Sequence, residues 1–449
     1  MKIAVIGGGA AGLMAAATAA REGADVTLFE KNEKLGKKIY ITGKGRCNFT
    51  NRCSEEEFLA NVVNNGRFLS GAISRFTPDD CIRFFESEGM PVKIERGNRA
   101  FPASDHASDV TKTLERVLEK YRVNIVLNRQ VIKIKPNRRP HTAARIRYMS
   151  KARQTMAEEY LAIPQFFEVT SCKVQHLDSA YPIVLPAIQT EVYDKVIIAT
   201  GGLTYPSTGS TGDGYVFAQQ EGHTVNECRP ALCGLNTRPD FEELQGLSLR
   251  NVQLHMYLDF NHVGSYFGEM LFTHYGISGP IVLSVSSRIC HLNMSRVHLM
   301  LDFKPAITDA ELGQKVLKLF SENQNKDVFN CLKDLMPHEL MRYIIKRAGV
   351  PLDKKVNVVT RDERQAIVKL LKHFDILLDG VRGWDEAIIT SGGISVKEIN
   401  PKTFESKCCD GMYFCGEVLD VDALTGGFNL QTAFSTGYCA GKAAAGGTL

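Results

Sequence analysis

The sequence predicts an α/β fold in which a domain with a parallel sheet is formed by both ends of the chain and divided by a long insertion. Strand and helix patterns alternate over roughly the first 130 residues, turn mainly β-like between Cys228 and Phe303, and alternate again near the C-terminus. The length of 449 residues also exceeds what one hydrophobic core usually organises. We therefore expect two or three domains.

The first element is an apolar strand over residues 3–6 that runs into a glycine-rich turn, residues 7–12, and an alanine-rich helix. A second strand, residues 25–29, ends on Glu30. In a G-x-G-x-x-G turn between strand and helix, the three glycines allow a tight turn, close approach of a pyrophosphate and close helix packing. The helix N-terminus favours the anion, and Glu30 is placed to bind a ribose diol. This unit predicts dinucleotide binding.

The following elements continue the alternation up to a short buried strand that ends in Thr200-Gly201-Gly202. Apolar spacing predicts helices near residues 55–59, 78–88 and 107–120, and strands at residues 123–127, 131–134, 165–174 and 193–199.

The middle of the chain has a different pattern. It predicts strands at residues 252–258 and 297–302, then helices at residues 310–320, 326–336, 338–348 and 361–372. Strands return at residues 387–389 and 412–415, before a last helix at residues 430–445. We predict a Rossmann-like domain from residues 1–205 and 388–449, an inserted β-rich, barrel-like subdomain at 206–308 and a small helical subdomain at 309–387.

Composition is that of a globular protein, with 44% hydrophobic and 23% charged residues. The net charge of +4 is too small to imply a nucleic-acid partner. The largest imbalance lies between Lys133 and Arg153, where eight basic residues occur without an acidic one. Such a run is typical of a solvated loop, with an anionic substrate, a membrane surface or a protein partner as alternatives.

The sequence also bears on the cellular compartment and on the state of the cysteines. The first strand leaves no room for a signal peptide, and no apolar run is long enough to span a membrane, so we expect a cytoplasmic protein without a membrane partner. The twelve cysteines have no paired framework and no C-x2-C spacing. Free thiols are expected, and no metal site is predicted.

Three further glycine clusters accompany predicted strands or helices, where backbone can approach a ligand closely: residues 36–48, 199–202 and 416–431. The four glycine clusters, taken in this order, resemble those of the two-dinucleotide-binding class of FAD flavoproteins. More narrowly, the chain resembles the bacterial FAD flavoprotein family that contains BaiN of bile-acid dehydroxylation, YhiN and aminoacetone oxidase. The resemblance spans nearly the whole chain and is carried by the motifs KKIYITGKGRCNFTN, LFTHYGISGP, TSGGIS and YFCGEVLDVDALTGGFNLQTAFSTGYCAG.

The resemblance implies FAD as cofactor. Glu30 would bind the adenosine ribose, the Val131 backbone the adenine, and Glu417 the ribityl chain. The N-terminus of the last helix would face the flavin N1 and C2 carbonyl, where negative charge accumulates on reduction. The remaining residues that the resemblance places around FAD are Gly7, Gly9, Ala11, Gly12, Lys31, Lys38, Thr42, Gly43, Gly45, Arg46, Cys47, Asn48, Thr200, Gly201, Gly202, Gly416, Gly427, Phe428, Asn429 and Leu430.

Candidate catalytic residues lie in or near the insertion. His274 belongs to a loop bounded by glycines and can supply a proton to a substrate that accepts hydride, or can simply support the loop through hydrogen bonds. Tyr205 and Tyr266 are alternative proton donors, or else core aromatics.

We expect an FAD-dependent oxidoreductase that acts on a small molecule, as a monomer or homodimer, by NAD(P)H-linked reduction of an activated carbon–carbon double bond in a steroid-like or bile-acid-like enone. No second nucleotide domain is evident, so NADH or NADPH would visit the flavin transiently. Alternatives are an oxidase of a small amine using O2, a non-catalytic flavin-bound protein, and a disulfide reductase using Cys47 and Cys53.

Overall fold

A computed structural model of the chain describes residues 1–137, 166–175, 183–238 and 241–449. In chain order its strands and helices are β1 (Lys2–Ile6), α1 (Ala10–Arg21), β2 (Asp25–Phe29), α2 (Lys37–Ile41), β3 (Thr50–Asn51), α3 (Glu55–Ala60), β4 (Val62–Asn64), α4 (Gly66–Arg75), α5 (Pro78–Ser87), β5 (Val92–Glu95), β6 (Arg99–Pro102), α6 (Ala107–Lys120), β7 (Asn124–Val126), β8 (Arg129–Pro136), β9 (Phe167–Gln175), β10 (Ile183–Tyr193), β11 (Lys195–Ile198), α7 (Asp213–Gln220), β12 (Val225–Ala231), β13 (Leu235–Arg238), β14 (Ser248–Leu258), β15 (Asn261–Thr273), β16 (Gly276–Ser278), α8 (Pro280–Ile289), β17 (Val297–Asp302), α9 (Asp309–Glu322), α10 (Val328–Leu332), α11 (His338–Arg347), α12 (Arg361–Lys372), β18 (Phe374–Val381), β19 (Ile389–Ile394), β20 (Met412–Phe414), β21 (Asp422–Ala423) and α13 (Phe428–Ala444).

These residues form two compact units. Unit 1 comprises Met1–Arg229 and Ile389–Leu449, and unit 2 comprises Pro230–Ile388. No helix within the described ranges is both long and apolar enough to cross a membrane. Most of the basic run between Lys133 and Arg153 falls outside the described residues, which stop at residue 137 and resume at residue 166.

Unit 1 is built on a parallel sheet with the strand order β20-β11-β1-β2-β7. β1 pairs in parallel with both β11 and β2, and its residues from Ile3 to Ile6 are buried, which accounts for their unbroken apolar run. β20, from the C-terminal part of the chain, pairs in parallel with β11. The expected return of the late strand to the first sheet is therefore confirmed, and with it the Rossmann-like fold class.

Helices α1 and α13 pack closely beside this sheet. A Cβ atom on Gly437 would lie 2.4 Å from the carbonyl oxygen of Ala11, and one on Gly441 would lie 2.3 Å from that of Ala15. Real Cβ atoms do not approach backbone oxygen so closely, so only glycine permits this separation of the two helices. The small residues of both helices thus allow the N-terminal and C-terminal parts of the chain to pack together.

Unit 2 contains a closed barrel with the strand order β13-β16-β15-β14-β17-β18. Helices α9 to α12 share one apolar core with the barrel, in which Val316, Leu340 and Ile367 accompany Leu254 and Leu301. The predicted combination of a β-rich, barrel-like part with a helical part is confirmed as a fold class.

Several predicted elements are corrected by the structure. Residues 280–289 fall in the stretch predicted as β but form helix α8, because Gly279-Pro280 starts a helix whose β-branched residues imitate a strand. The strand predicted at residues 387–389 begins only at Ile389, and the helix predicted at residues 326–336 is limited to α10. The last helix begins at Phe428, two residues earlier than its apolar pattern indicated.

Candidate functional site

The turn between β1 and α1 has the geometry that a bound pyrophosphate needs. A Cβ on Gly12 would lie 1.8 Å from the Gly7 carbonyl oxygen, and one on Gly7, where φ is 105°, would lie 2.5 Å from the Ala199 carbonyl oxygen. By contrast, no described atom lies within 4 Å of the position a Cβ would take on Gly9. Gly9 caps α1 without a side-chain hydrogen bond, so the helix N-terminus faces open space that suits an anion.

Glu30 follows β2 and is held beside this turn. Its carboxylate accepts hydrogen bonds from the Gly8 N–H at 2.7 Å and the Asn32 N–H at 2.8 Å. Burial raises the pKa of Glu30, while the backbone hydrogen bonds from Asn32 and Gly8 lower it. Because each carboxylate oxygen can accept more than one hydrogen bond, the side chain retains acceptor capacity for ribose hydroxyls.

The start of β8 lies next to Glu30, since the Arg129 N–H donates to the Glu30 carbonyl oxygen at 3.0 Å. Val131 is buried in β8, beside an irregularity in its pairing with β9. Lys31 forms an ion pair with Asp213 at 2.9 Å and hydrogen bonds to Thr211. The structure thus places Val131 and Lys31 along the chain segments that flank Glu30.

The loop after α2 carries several backbones in the left-handed region. Gly43 has φ 56° and Gly45 has φ 84°, and the buried Cys47 has φ 58°. Thr42 closes the loop by accepting the Cys47 N–H on its carbonyl oxygen at 3.1 Å. Arg46 donates hydrogen bonds to Asp105 and Glu95, and its guanidinium lies 4.4 Å from the Phe101 ring centroid. Its charge is therefore already compensated by two carboxylates.

Cys47 and Cys53 lack the properties of a redox pair. A nucleophilic cysteine needs a thiolate, which forms readily only when its pKa is low. Burial raises the pKa of Cys47 to about 12 and that of Cys53 to about 11. These surroundings argue against the disulfide reductase alternative.

Orphaned polar atoms provide a test of whether the residues fit a dinucleotide. Asn48 Oδ1, Thr200 Oγ1 and Thr432 Oγ1 are buried and have no hydrogen-bond partner among the described residues. All three belong to glycine-cluster segments of unit 1 or to the first turn and a half of α13. Thr200 Oγ1 packs against Gly214 of α7, where a Cβ would lie 2.2 Å from it. Buried polar atoms normally have partners, so Asn48 Oδ1 and Thr432 Oγ1, together with the open space at Gly9, fit a polar ligand such as FAD.

Glu417 is the centre of a polar cluster after β20. Its carboxylate accepts from Lys38 Nζ at 2.7 Å, from Thr204 Oγ1 at 2.9 Å and from the Thr390 N–H at 2.9 Å. A Cβ on Gly202 would lie 2.2 Å from Thr390 Oγ1. The side chains of Lys38 and Glu417, far apart in sequence, are thus brought together beside the segment 200–202.

The segment 200–202 itself follows β11. Ala199 N–H donates to the Ile6 carbonyl at 2.9 Å, which extends the parallel pairing to the glycines. Gly201 has φ 73°, and a Cβ there would lie 2.8 Å from Ser210 Oγ. Glycine at this position therefore allows the backbone after β11 to pack closely against Ser210.

The N-terminus of α13 is positioned by its flanking backbone. Gly427 has φ 96°, and a Cβ there would lie 2.5 Å from the Thr50 carbonyl oxygen. The Asn429 side chain bridges Ala423, accepting its N–H at 2.9 Å and donating to its carbonyl oxygen at 2.7 Å. Phe428 is buried and Leu430 half-buried. Gly416 hydrogen bonds through its N–H to Thr436 at 3.0 Å, and a Cβ there would lie 2.6 Å from Ala11 Cβ.

Asp422 is a candidate residue that the sequence analysis missed. It is 1% exposed, and its Oδ1 accepts hydrogen bonds from Asn64 at 2.6 Å and Ser391 at 3.1 Å. Burial raises the pKa of Asp422 to about 6, and Oδ2 has no hydrogen-bond partner in the described part of the chain. Asp422 lies within the motif that begins at Tyr413, but the motif does not indicate its burial, which follows from the pairing of β21 with β4 and from its contacts with Asn64 and Ser391.

The proposed proton donors are distributed over both units. Tyr205 lies in unit 1 with φ 53°, and His274 and Tyr266 lie in unit 2. His274 is exposed just after β15, and its ring contacts Tyr275 at 5.0 Å. Tyr266 lies within β15, where burial raises its pKa and Arg288 lowers it. At about 3.3 Å per strand residue, His274 and Tyr266 are roughly 20 Å or more apart, so one small substrate cannot contact both.

The parallel sheet, the glycine-rich turn at α1 and the acidic residue after β2 together define a dinucleotide-binding protein of the flavoenzyme type. The family model of the HI0933-like protein Rossmann domain matches residues 1–166 and 164–443. The chain belongs to this family of FAD-dependent oxidoreductases.

Curated relatives match nearly the full length of the chain. A 3-dehydro-bile acid delta(4,6)-reductase from Clostridium scindens is 29% identical, with 99% of both chains covered. A ribosomal RNA dihydrouridine synthase from Haemophilus influenzae is 28% identical over 97% of this chain and 96% of its own. One from Escherichia coli is 28% identical over 97% and 95%.

Among solved structures, the fold is similar to that of a 3-ketosteroid-delta4-(5alpha)-dehydrogenase from Rhodococcus jostii. The TM-score is 0.51 at 14% identity, with 99% of this chain and 96% of that chain covered. This likeness concerns the fold.

Proposed function

We propose that this protein reduces a carbon–carbon double bond conjugated to a carbonyl group in a steroid-like substrate, with NADH or NADPH as the electron donor. The observation that carries the proposal is the similarity, over nearly the whole chain, to relatives named for saturating such a bond. A delta(4,6)-reductase acts on ring double bonds, and a dihydrouridine synthase acts on the double bond of a uracil ring. Both bonds are conjugated to a carbonyl, so one chemistry serves both names.

The residues of unit 1 would hold and polarise FAD. The N-terminus of α1 would bind its pyrophosphate. Glu30 would bind its adenosine ribose, and Glu417 would bind its ribityl chain. The first turn of α13 would place unpaired N–H groups where negative charge develops. When bound, FAD supplies the hydride transfer, and the protein supplies orientation and electrostatics.

A proton must reach the carbon next to the carbonyl after hydride arrives at the far end of the double bond. His274 is our candidate for this donor because it is exposed on a loop and an imidazole ring can donate a proton as a general acid. Substituting His274→Asn should slow oxidation of the reduced protein by an enone without slowing its reduction by NADPH. Equal loss in both half-reactions would remove His274 from this role.

Ribosomal RNA is the second candidate substrate. Two relatives carry the name ribosomal RNA dihydrouridine synthase, and the chain has a basic run between Lys133 and Arg153. Basic segments neutralise phosphates, so RNA binding through this run would weaken steeply with salt. Dihydrouridine formed in ribosomal RNA by the purified protein would favour this substrate over the steroid.

Anaerobic half-reactions would test the proposal. The protein should be reduced by NADH or NADPH and then mixed separately with a steroid dienone, with ribosomal RNA and with oxygen, while the flavin absorbance is followed. Rapid reoxidation by the dienone with formation of its saturated product is expected. Fast turnover with oxygen and a small amine, without an enone response, would favour an amine oxidase. Exchange of electrons with no acceptor turnover would favour a non-catalytic flavin-bound protein.

Glu417 provides a separate test of the cofactor site. Replacement by alanine removes the carboxylate that accepts hydrogen bonds from Lys38, Thr204 and Thr390. Glu417→Ala should therefore bind FAD more weakly than the wild type and should lose it when the protein is diluted less. Glu417→Gln, which retains an acceptor oxygen, should lie between the two. Unchanged FAD affinity in the alanine variant would contradict the ribityl role.

A further inference from the structure

A second group of potential ligands lies in unit 1, on segments that the flavin site does not use. A ring nitrogen of His223, a Glu398 carboxylate oxygen and Cys408 Sγ all lie within 4.8 Å of one another. The three residues come from the turn after α7 and from two loops between β19 and β20. Imidazole, carboxylate and thiolate are the ligand types that Zn²⁺ takes in proteins.

His223 is the buried member of this group. Its side chain is 0% exposed, and its ring contacts Phe414 at 4.9 Å. Nε2 is 2.7 Å from Ser406 Oγ, whereas Nδ1 is buried without a hydrogen-bond partner in the described ranges. Nδ1 is 3.4 Å from Glu398 Oε2. A fixed ring with one hydrogen-bonded nitrogen and a second nitrogen that faces a carboxylate is the arrangement in which an outer-sphere partner orients a metal-binding histidine.

Glu398 is oriented in the same way. Its Oε2 accepts the Thr224 N–H at 2.8 Å, and its Oε1 accepts the Thr224 hydroxyl at 2.9 Å. Two ligands at about 2.0–2.1 Å from a tetrahedral zinc ion are about 3.3 Å apart. The Nδ1–Oε2 separation of 3.4 Å therefore matches one edge of such a site without rearrangement.

We propose that His223, Glu398 and Cys408 bind a divalent zinc ion, with solvent as the fourth ligand. Cys408 belongs to the loop that Ser406 organises, because the N–H groups of Cys408 and Cys409 donate to Ser406 Oγ at 3.0 and 2.8 Å. Binding requires Sγ, which lies within 4.8 Å of the other two ligand atoms, to come within about 3.6 Å of each of them.

Proton balance follows from the ligands. Cys408 loses its thiol proton to solvent when the Zn–S bond forms, and a neutral His223 must carry its proton on Nε2 when Nδ1 binds zinc. Ser406 Oγ then accepts that proton's hydrogen bond, in place of the longer one from the Cys408 N–H. One proton is released for each zinc ion bound, so affinity should increase with pH.

The test uses the full-length, FAD-loaded protein, stripped with a chelator and titrated with Zn²⁺ in competition with a chromogenic chelator. One zinc ion per chain is expected, confirmed by elemental analysis after gel filtration. Cys408→Ser should weaken binding by more than about 100-fold, since even outer-sphere partners of metal ligands contribute about 10- to 100-fold. Cys331→Ser, a half-buried cysteine in unit 2, is the matched control and should retain full affinity.

A second variant and a second readout distinguish a loss of zinc binding from misfolding of the protein. Glu398→Gln retains the shape of the side chain and should also weaken zinc binding, while flavin content reports that unit 1 remains folded. Co²⁺ in place of Zn²⁺ should give the visible absorption bands of a tetrahedral cobalt site, at longer wavelengths than oxidised flavin absorbs, and Cys408→Ser should abolish them. Less than half an equivalent of zinc in the wild type, or equal affinity in wild type and Cys408→Ser, would overturn the proposal.

Discussion

At the scale of single residues, the clearest predictions concern buried side chains that can carry a charge. Asp422 and Lys372 are both almost fully buried, one in each unit, but their surroundings differ. Asp422 accepts hydrogen bonds from neutral donors only, and burial, together with the Asp420 and Glu417 carboxylates, favours its protonated form. Lys372 is paired with a carboxylate and two carbonyl oxygens. Replacement by a neutral residue should therefore remove an unfavourable buried charge at Asp422, but should break a favourable ion pair at Lys372.

The Asp422 carboxyl should make stability depend on pH. Its pKa of about 6 lies above the ordinary 3.8, so between these values the folded state binds more protons than the unfolded state. The free energy of unfolding should therefore fall as pH rises from about 4 to about 6, by about 3 kcal/mol in total. Urea unfolding across this range, followed by flavin release, measures the slope.

Asp422→Asn should remove this pH-dependent decrease, because the amide cannot ionise. Asp79→Asn, at an exposed carboxylate of the same unit, is the control and should leave the slope unchanged. A wild-type slope that Asp422→Asn does not alter would assign the dependence to other groups.

The ion pair of Lys372 and Asp302 should respond to truncation. Lys372 Nζ lies 2.7 Å from Asp302 Oδ2 and donates to the carbonyl oxygens of Lys304 at 2.9 Å and Ile307 at 2.6 Å. Lys372→Met would leave a buried carboxylate without its partner, which costs about 3–5 kcal/mol. The only tryptophan, Trp384, lies in unit 2, so its fluorescence during urea unfolding reports the loss.

The double variant Lys372→Met with Asp302→Leu is the informative control. Replacing a buried pair by apolar residues is often neutral, so the double variant should recover much of the lost stability. A double variant less stable than Lys372→Met would mean that the carboxylate has another essential role.

At the scale of elements, close helix packing depends on missing side chains. α1 and α13 meet at Gly437 and Gly441, where backbone oxygens of α1 occupy the space that a methyl group would need. α9 carries a helical glycine of the opposite kind, Gly313, with no described atom within 4 Å of its Cβ position. The same substitution should therefore have opposite effects in the two helices.

Gly437→Ala should destabilise unit 1 by about 1–3 kcal/mol, because the helices must separate to admit the methyl group. Flavin release on heating would report the change. Gly313→Ala, monitored through Trp384, should stabilise unit 2 by up to about 1 kcal/mol, since alanine is the better helix former. Stabilisation by both substitutions would show that α1 and α13 are not held as closely as described.

At the scale of the whole molecule, cofactor binding should act on one unit. The residues proposed to hold FAD belong to unit 1, and FAD binds the folded state only. At 100 times its dissociation constant, FAD should add about 2.7 kcal/mol to the free energy of unfolding of the stripped protein. Hydrogen exchange should show protection around Gly9, Glu30 and the start of α13.

The hydrogen-exchange pattern also defines the contrary result. Protection by FAD confined to unit 2, or absent from the α1 N-terminus, would contradict the proposed cofactor site. FMN, which lacks the adenosine and its pyrophosphate, is the matched control and should protect Gly9 and Glu30 less than FAD does.

The sequence by itself determined the features that depend on local patterns. The G-x-G-x-x-G turn requires particular residue types at fixed spacing, and apolar periodicity identified most strands and helices. The resemblance of four motifs added the family. Helix α8 was missed because β-branched residues suit both a strand and a helix that starts at Gly279-Pro280.

Tertiary structure alone decided which distant residues meet. Lys38 and Glu417 are 379 positions apart and form one ion pair, and no motif pairs their spacing. Asp422 acquires its raised pKa because the folded chain buries it and brings the Asp420 and Glu417 carboxylates near it. His223, Glu398 and Cys408 likewise show no metal-binding spacing, yet loops bring them together. Burial and long-range contact arise from folding, so a sequence pattern read over short distances cannot express them.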